Sequence, residues 1–182
     1  MAITQTLGVG TMALIAQASG RKDREDANLI FNQSLVLAAV CAAITLAGGY
    51  GLGRWYMGTL GADAETVSAG ITYLYWVLPG LALQFAMISM GSALRGTGIV
   101  TPTIIVQVLT VVLNAILSPI MIAGWGTGRP LGVAGAGIST SISIAVAVIM
   151  MTVYFRLLEQ YVMFDGSMVR PRVSAWKRIL AV

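Results

Sequence analysis

Residues 102–123 read PTIIVQVLTVVLNAILSPIMIA, a run without a single Asp, Glu, Lys, Arg or His. A helix rises 1.5 Å per residue, so about twenty apolar residues match the roughly 30 Å hydrocarbon core of a bilayer. Four more stretches of the same kind lie around it, at about 3–19, 28–53, 67–93 and 133–157. None holds an Asp, Glu, Lys or His in its interior. A soluble domain carries about a quarter charged residues. This chain of 182 residues has 10% charged and 57% hydrophobic residues. The expected fold class is therefore all-α, a polytopic transmembrane bundle of five spans with short loops and no separate soluble domain.

The boundaries carry their own signals. Gly20 suits the left-handed position that closes the first helix. The charged loop Arg21 to Asp26 follows, and Asp23 with Asp26 places acids where a helix N-terminus favours them. Pro102 suits a first helical turn, where its missing N–H is no loss. Gly124 to Pro130 reads as a loop. The segment 2–18 ends in Ala16-Gln17-Ala18, a small-x-small pattern, but it lacks the positive n-region of a secretory signal and is better read as part of a span.

Orientation follows from the cations. One side holds Arg21, Lys22, Arg24, Arg95, Arg156, Arg170, Arg172, Lys177 and Arg178, and the other only Arg54 and Arg129. Positive loops stay cytoplasmic, so nine against two puts the first side and the C-terminal tail, 158–182, inside the cell. Trp55, Tyr56 and Trp125 then fall at the outer interface, where amphipathic rings belong. A first span that enters from outside implies one more helix upstream. WKRILAV (176–182) looks like the inner flank of a further span. The expected setting is the inner cell membrane, and the chain reads as part of a longer protein.

Polar side chains inside a bilayer must find partners or water. Gln107, Thr110, Asn114 and Ser118 are spaced three, four and four, which puts them on one stripe of the fourth helix, with Pro119 beyond. Tyr73, Trp76, Gly80, Gln84 and Met87 share a face of the third helix beside Pro79. The fifth opens with small residues from Gly132 to Gly137 and continues through Ser139, Thr140, Ser141 and Ser143. Two readings fit this pattern. Small residues and hydroxyls pack helices together, each cross-helix hydrogen bond contributing about 1 kcal/mol or less. Alternatively, the two proline-bearing helices line a hydrated cavity.

Other chemistry is poorly served. There is no histidine, and Cys41 is alone in mid-span, so no internal disulfide can form. Gly8-x-Gly10 and the Gly48–Gly53 cluster follow no strand, so they are not phosphate loops. Gly49 and Gly53 instead suit a GxxxG helix contact. The acids Asp63, Glu65, Glu159 and Asp165 lie in loops or the tail, and no nucleophile has a base within helical reach. Enzymatic activity is not expected, nor is a cofactor, a metal or a nucleic-acid partner.

GVGTMALIAQASG (8–20) with the loop Arg21 to Asn28 resembles the second helix and following loop of the multidrug and toxic compound extrusion (MATE) transporters. GSALRGTG (91–98) before Pro102 resembles that family's loop between helices four and five. NAILSP (114–119), Gly124 and LGVAGAGIST (131–140) resemble helices five and six. The resemblance runs in order from residue 8 to about 157. It implies that residues 1–182 are part of the N-terminal one of two six-helix lobes, supplying helices two to six. The whole protein would rock between outward- and inward-open states, exporting amphipathic or cationic drugs in exchange for H⁺ or Na⁺. Its partners would be those drugs and ions, the bilayer, a first helix and a C-terminal lobe. The family's polar cluster has an Asn and an Asp one turn apart on helix five and a Thr on helix six. Asn114 and Thr140 match the first and last, but Ser118 stands at the Asp position and cannot hold a negative charge.

The resemblance makes Gln107, Thr110, Asn114, Ser118 and Thr140 candidate ion and substrate contacts, with Gln84, Tyr73, Trp76 and Met87 as the aromatic and thioether surface. A flippase for lipid-linked sugars is the related alternative, and it would need basic residues deep in the spans. A third reading is a short product that acts only as an assembly partner.

Overall fold

A computed structural model of the chain describes residues 2–60, 63–125, 128–157 and 161–181, with the side chains of residues 2 and 3 left aside. Gly126 and Thr127 of the loop expected after the fourth span, Glu159 of the tail and Val182 lie outside the described residues. The order is α1 (Ala2–Gly20), α2 (Arg24–Thr59), α3 (Ala64–Gly96), α4 (Thr101–Ala123), α5 (Val133–Leu157) and a short α6 (Val173–Leu180), with a 3₁₀ turn at Gly166–Met168. Every described element is helical, as lipid requires of a chain that must satisfy its backbone internally.

Each apolar stretch read from the sequence falls within one helix. Helices α2 to α5 are long and apolar enough to cross a membrane. Helix α1 is not among them, which differs from the expected five spans. It carries Thr4, Gln5, Thr6, Thr11 and Gln17, and it buries Leu7, Thr11, Ile15 and Ala18 completely. With so much of one face against protein, it need not be apolar all round. At 36 and 33 residues, α2 and α3 extend about 54 and 50 Å, well beyond the hydrocarbon.

The turn from α1 to α2 departs from expectation in one detail. Lys22, not Gly20, takes the left-handed conformation, with φ 57°. Asp23 N donates to Ala18 O at 2.9 Å and Lys22 N to Ser19 O at 3.0 Å, which closes a Schellman motif two residues later than the glycine. Asp23 then caps α2, its Oδ1 accepting from Asp26 N at 3.0 Å. Gly124 closes α4 at φ 73°, where a side chain would be strained.

Helix α3 is the hub, packing on α1, α2 and α5, while α4 leans on α5 and barely meets α3. Small residues set these approaches. A Cβ on Gly49 or Gly53 of α2 would strike Leu78 or Leu74 of α3. On α5, a Cβ on Gly135 would strike the backbone of Met121, and one on Gly137 the backbone at Tyr73 and Val77. The small-residue opening of α5 is thus wedged between α3 and α4. At the end bearing Arg24 and Arg178 the core closes on Phe31 and Phe155, stacked at 4.9 Å, with Phe164 of the tail tilted against both.

Candidate functional site: the polar seam of α4 and α5

The stripe on α4 faces α5. Asn114 Nδ2 donates to Thr140 Oγ1 at 3.3 Å. One turn on, Ser118 Oγ lies 3.5 Å from Asn114 Oδ1 and 3.1 Å from Ser139 Oγ. Thr140 and Ser139 also donate back to Ala136 O, both at 3.0 Å, which fixes their rotamers. Thr110 Oγ1 donates to Val106 O at 2.7 Å. Four neutral side-chain oxygens, on Asn114, Ser118, Ser139 and Thr140, therefore meet within two helical turns. A wall of Thr110, Asn114, Thr140 and Ser143 opens on a groove of about 230 Å³.

Toward the end of α3 that bears Arg95, a larger cavity of about 350 Å³ lies between α1, α3 and α4. Gln84, Met87 and Gln107 line it, joined by Gln5, Met12 and Thr103, with Arg95 at its edge. The Thr103 hydroxyl is buried with no hydrogen-bond partner among the described residues. Among the described residues, no carboxylate lines either space. What these walls offer is amide, hydroxyl and thioether contact, suited to amphipathic molecules and to water.

Tyr73 and Trp76 line neither space. The cause is α5. Gly137 packs against the backbone at Tyr73 and beside Trp76 Cβ, and the Ser141 backbone closes on Gly80. The outer half of that face is therefore a helix seam, and it opens into the cavity only from Gln84 inward. The rings of Tyr73 and Trp76 stay 39% and 43% exposed on the outer surface.

Sequence reasoning missed Ser139, the second hydroxyl on Ser118, although it adjoins Thr140 in a run of four hydroxyl-bearing positions. It also missed the pairing of Ser141 with the proline break in α3. Gly80 N donates to Ser141 Oγ at 3.1 Å and that hydroxyl donates to Trp76 O at 2.6 Å. The carbonyl that Pro79 leaves unserved, Tyr75 O, accepts instead from Tyr50 OH of α2 at 3.1 Å.

Comparison with known proteins agrees with this architecture. Residues 1–120 match the MatE family model. The probable multidrug resistance protein YoeA of Bacillus subtilis (strain 168) is 24% identical over 173 residues, covering 93% of this chain and 37% of that protein. A probable multidrug resistance protein NorM of Bacillus anthracis is 25% identical over 177 residues, covering 94% and 38%. Among solved structures, the inward-facing conformation of a multidrug resistance MATE family transporter superposes with TM-score 0.89 at 28% identity, over all of this chain and 40% of that one. The outward-facing conformation of a multidrug resistance MATE family transporter gives 0.85 at 29% identity, over all of this chain and 40% of that one. The chain thus spans about two fifths of the length of the relatives it matches. Its matched residues and all-helical bundle agree, and the chain belongs to the MatE, or multidrug and toxic compound extrusion, family.

Proposed function

We propose that this chain forms part of the N-terminal lobe of a secondary transporter in the inner cell membrane. The transporter exports amphipathic compounds, cationic ones among them, in exchange for H⁺ or Na⁺. The end bearing Arg21, Lys22 and Arg178 faces the cytoplasm. No cofactor beyond the coupling ion is required. The observation that carries this reading is the Asn114–Thr140 bond, which joins two helices at the wall of an open groove.

A cluster of neutral oxygens can replace part of the hydration shell of a hard cation, as carbonyl and hydroxyl ligands do elsewhere. It cannot itself take up a proton near neutral pH, because neither an amide nor an alcohol titrates there. Asn114, Ser118 and Thr140 therefore act as coordinating and positioning groups, and any full charge that answers the ion comes from outside these helices. Gln84, Gln107 and Met87 meet the transported compound in the adjoining cavity.

The test is Asn114→Ala and Thr140→Val in a full-length transporter carrying this segment, assayed for efflux of a fluorescent organic cation at graded Na⁺ and pH. Loss of efflux or a shifted ion dependence supports the assignment, and unchanged values for both variants reject it.

A further inference from the structure

Residues 161–180 leave the bundle with four cations, Arg170, Arg172, Lys177 and Arg178, and one acid, Asp165. They do not hang free. Asn28 Oδ1 accepts from Met163 N at 2.7 Å, and Asn32 both donates to Met163 O and accepts from Asp165 N. Gln33, wholly buried, donates to Met168 O and Arg170 O and accepts from Arg172 N at 2.8 Å. Three amides of α2 thus hold the tail backbone at six points. Arg178 forks onto Asp26, both bonds 2.9 Å, and the Ile179 carbonyl sits against Gly10 of α1.

A tail pinned in this way cannot rearrange to hide its apolar side chains. Val169 is 48% exposed, Val173 60% and Leu180 48%. On α6, Ala175 and Ile179 are buried while Val173, Lys177 and Leu180, at i, i+4 and i+7, form the outward stripe. Arg170 is exposed beside Val169. The one acid is occupied locally: Asp165 Oδ1 accepts from Ser167 N and Oγ, which holds its carboxyl below the ordinary aspartate range. Exposed aliphatics interleaved with cations, on a rigid frame at the basic end of the bundle, are the pattern of a surface seated in the headgroup layer.

We infer that Arg170 and Lys177, flanked by Val169, Val173 and Leu180, form a docking surface for anionic phospholipids of the cytoplasmic leaflet. The aliphatic side chains enter the acyl boundary while the two cations meet phosphodiester oxygens, with Lys177 extending its stem along the apolar stripe. This surface is separate from the α4–α5 seam, and its assignment to the cytoplasmic leaflet rests on the orientation proposed above.

The test is native mass spectrometry of the full chain, released from nanodiscs that mix phosphatidylglycerol with phosphatidylcholine. Wild type should retain phosphatidylglycerol in preference, and Arg170→Gln with Lys177→Gln should lower that preference by about twenty-five-fold, since each cation near an anionic surface contributes roughly fivefold. Arg170→Lys with Lys177→Arg should restore it, which separates lost charge from lost folding. Arg54→Gln, at the opposite end, should leave it unchanged. Equal retention by wild type and the double Gln variant overturns the inference. So does an equal loss in Arg54→Gln. Displacement of the lipid by millimolar inorganic phosphate would make this a free-anion site and would also overturn it.

Discussion

The Ser141 hydroxyl of α5 stands between Gly80 N and Trp76 O of α3, one turn apart beside Pro79. A proline in a spanning helix strands a carbonyl in a medium with no water to satisfy it. Here Ser141 and Tyr50 from two neighbouring helices supply the missing partners, so the break in α3 is held by tertiary contacts. Removing the hydroxyl in Ser141→Ala should lower stability by about 1–2 kcal/mol. Gly80→Ala should cost at least as much, because its Cβ would lie 2.8 Å from Ser141 Cα. Thermal unfolding in detergent checks both, and a wild-type midpoint for Gly80→Ala would contradict the packing described.

The wedge of α5 makes a prediction with an internal control. A methyl group on Gly135 meets the backbone of Met121, which cannot swing aside, whereas one on Gly51 meets nothing within 4 Å. Gly135→Ala should destabilise by about 1–3 kcal/mol, and Gly51→Ala should be neutral or slightly stabilising. The same unfolding measurement decides between them.

The amide clamp on the tail should be visible to a protease. Gln33→Leu leaves the Met168 and Arg170 carbonyls and the Arg172 N–H without their side-chain partner, at a cost of about 2 kcal/mol. Trypsin cleavage after Arg172 should then quicken markedly while the bundle stays intact. An unchanged cleavage rate would show that these bonds do not hold the tail.

Much of this was legible in the sequence, and the reason is the solvent. Lipid admits only helices of sufficient apolar length, so 102–123 and 133–157 announce α4 and α5 almost to the residue. The Asn114–Ser118 stripe was legible because spacing along one helix fixes a shared face, whereas Thr140, on another helix, was joined to it only by the family resemblance. What that spacing cannot say is which neighbour covers a face. Tyr73, Trp76 and Gln84 share a stripe, yet Gly137 and Ser141 seal its outer half and leave only Gln84 and Met87 to the cavity. The tail clamp was invisible for a related reason. Its pairs lie 131 to 139 residues apart, and no local pattern marks Asn32 or Gln33 as anything but polar ends of a span.

Ser118 invites a gain-of-charge experiment. Ser118→Asp places a titratable carboxylate beside Asn114, Ser139 and Thr140, a cluster of groups that do not titrate. In a full-length transporter, efflux should become more steeply dependent on pH. A pH profile superimposable on that of Ser118 would mean that the seam does not sense the coupling ion.

The most direct measurement is efflux of a fluorescent organic cation by the full-length protein bearing Asn114→Ala, with expression matched to wild type. The account predicts that transport falls by tenfold or more while the protein remains folded in the membrane, because the amide that joins α4 to Thr140 at the groove is gone. Efflux equal to wild type, with the same ion dependence, would contradict the assignment of this seam as the functional site.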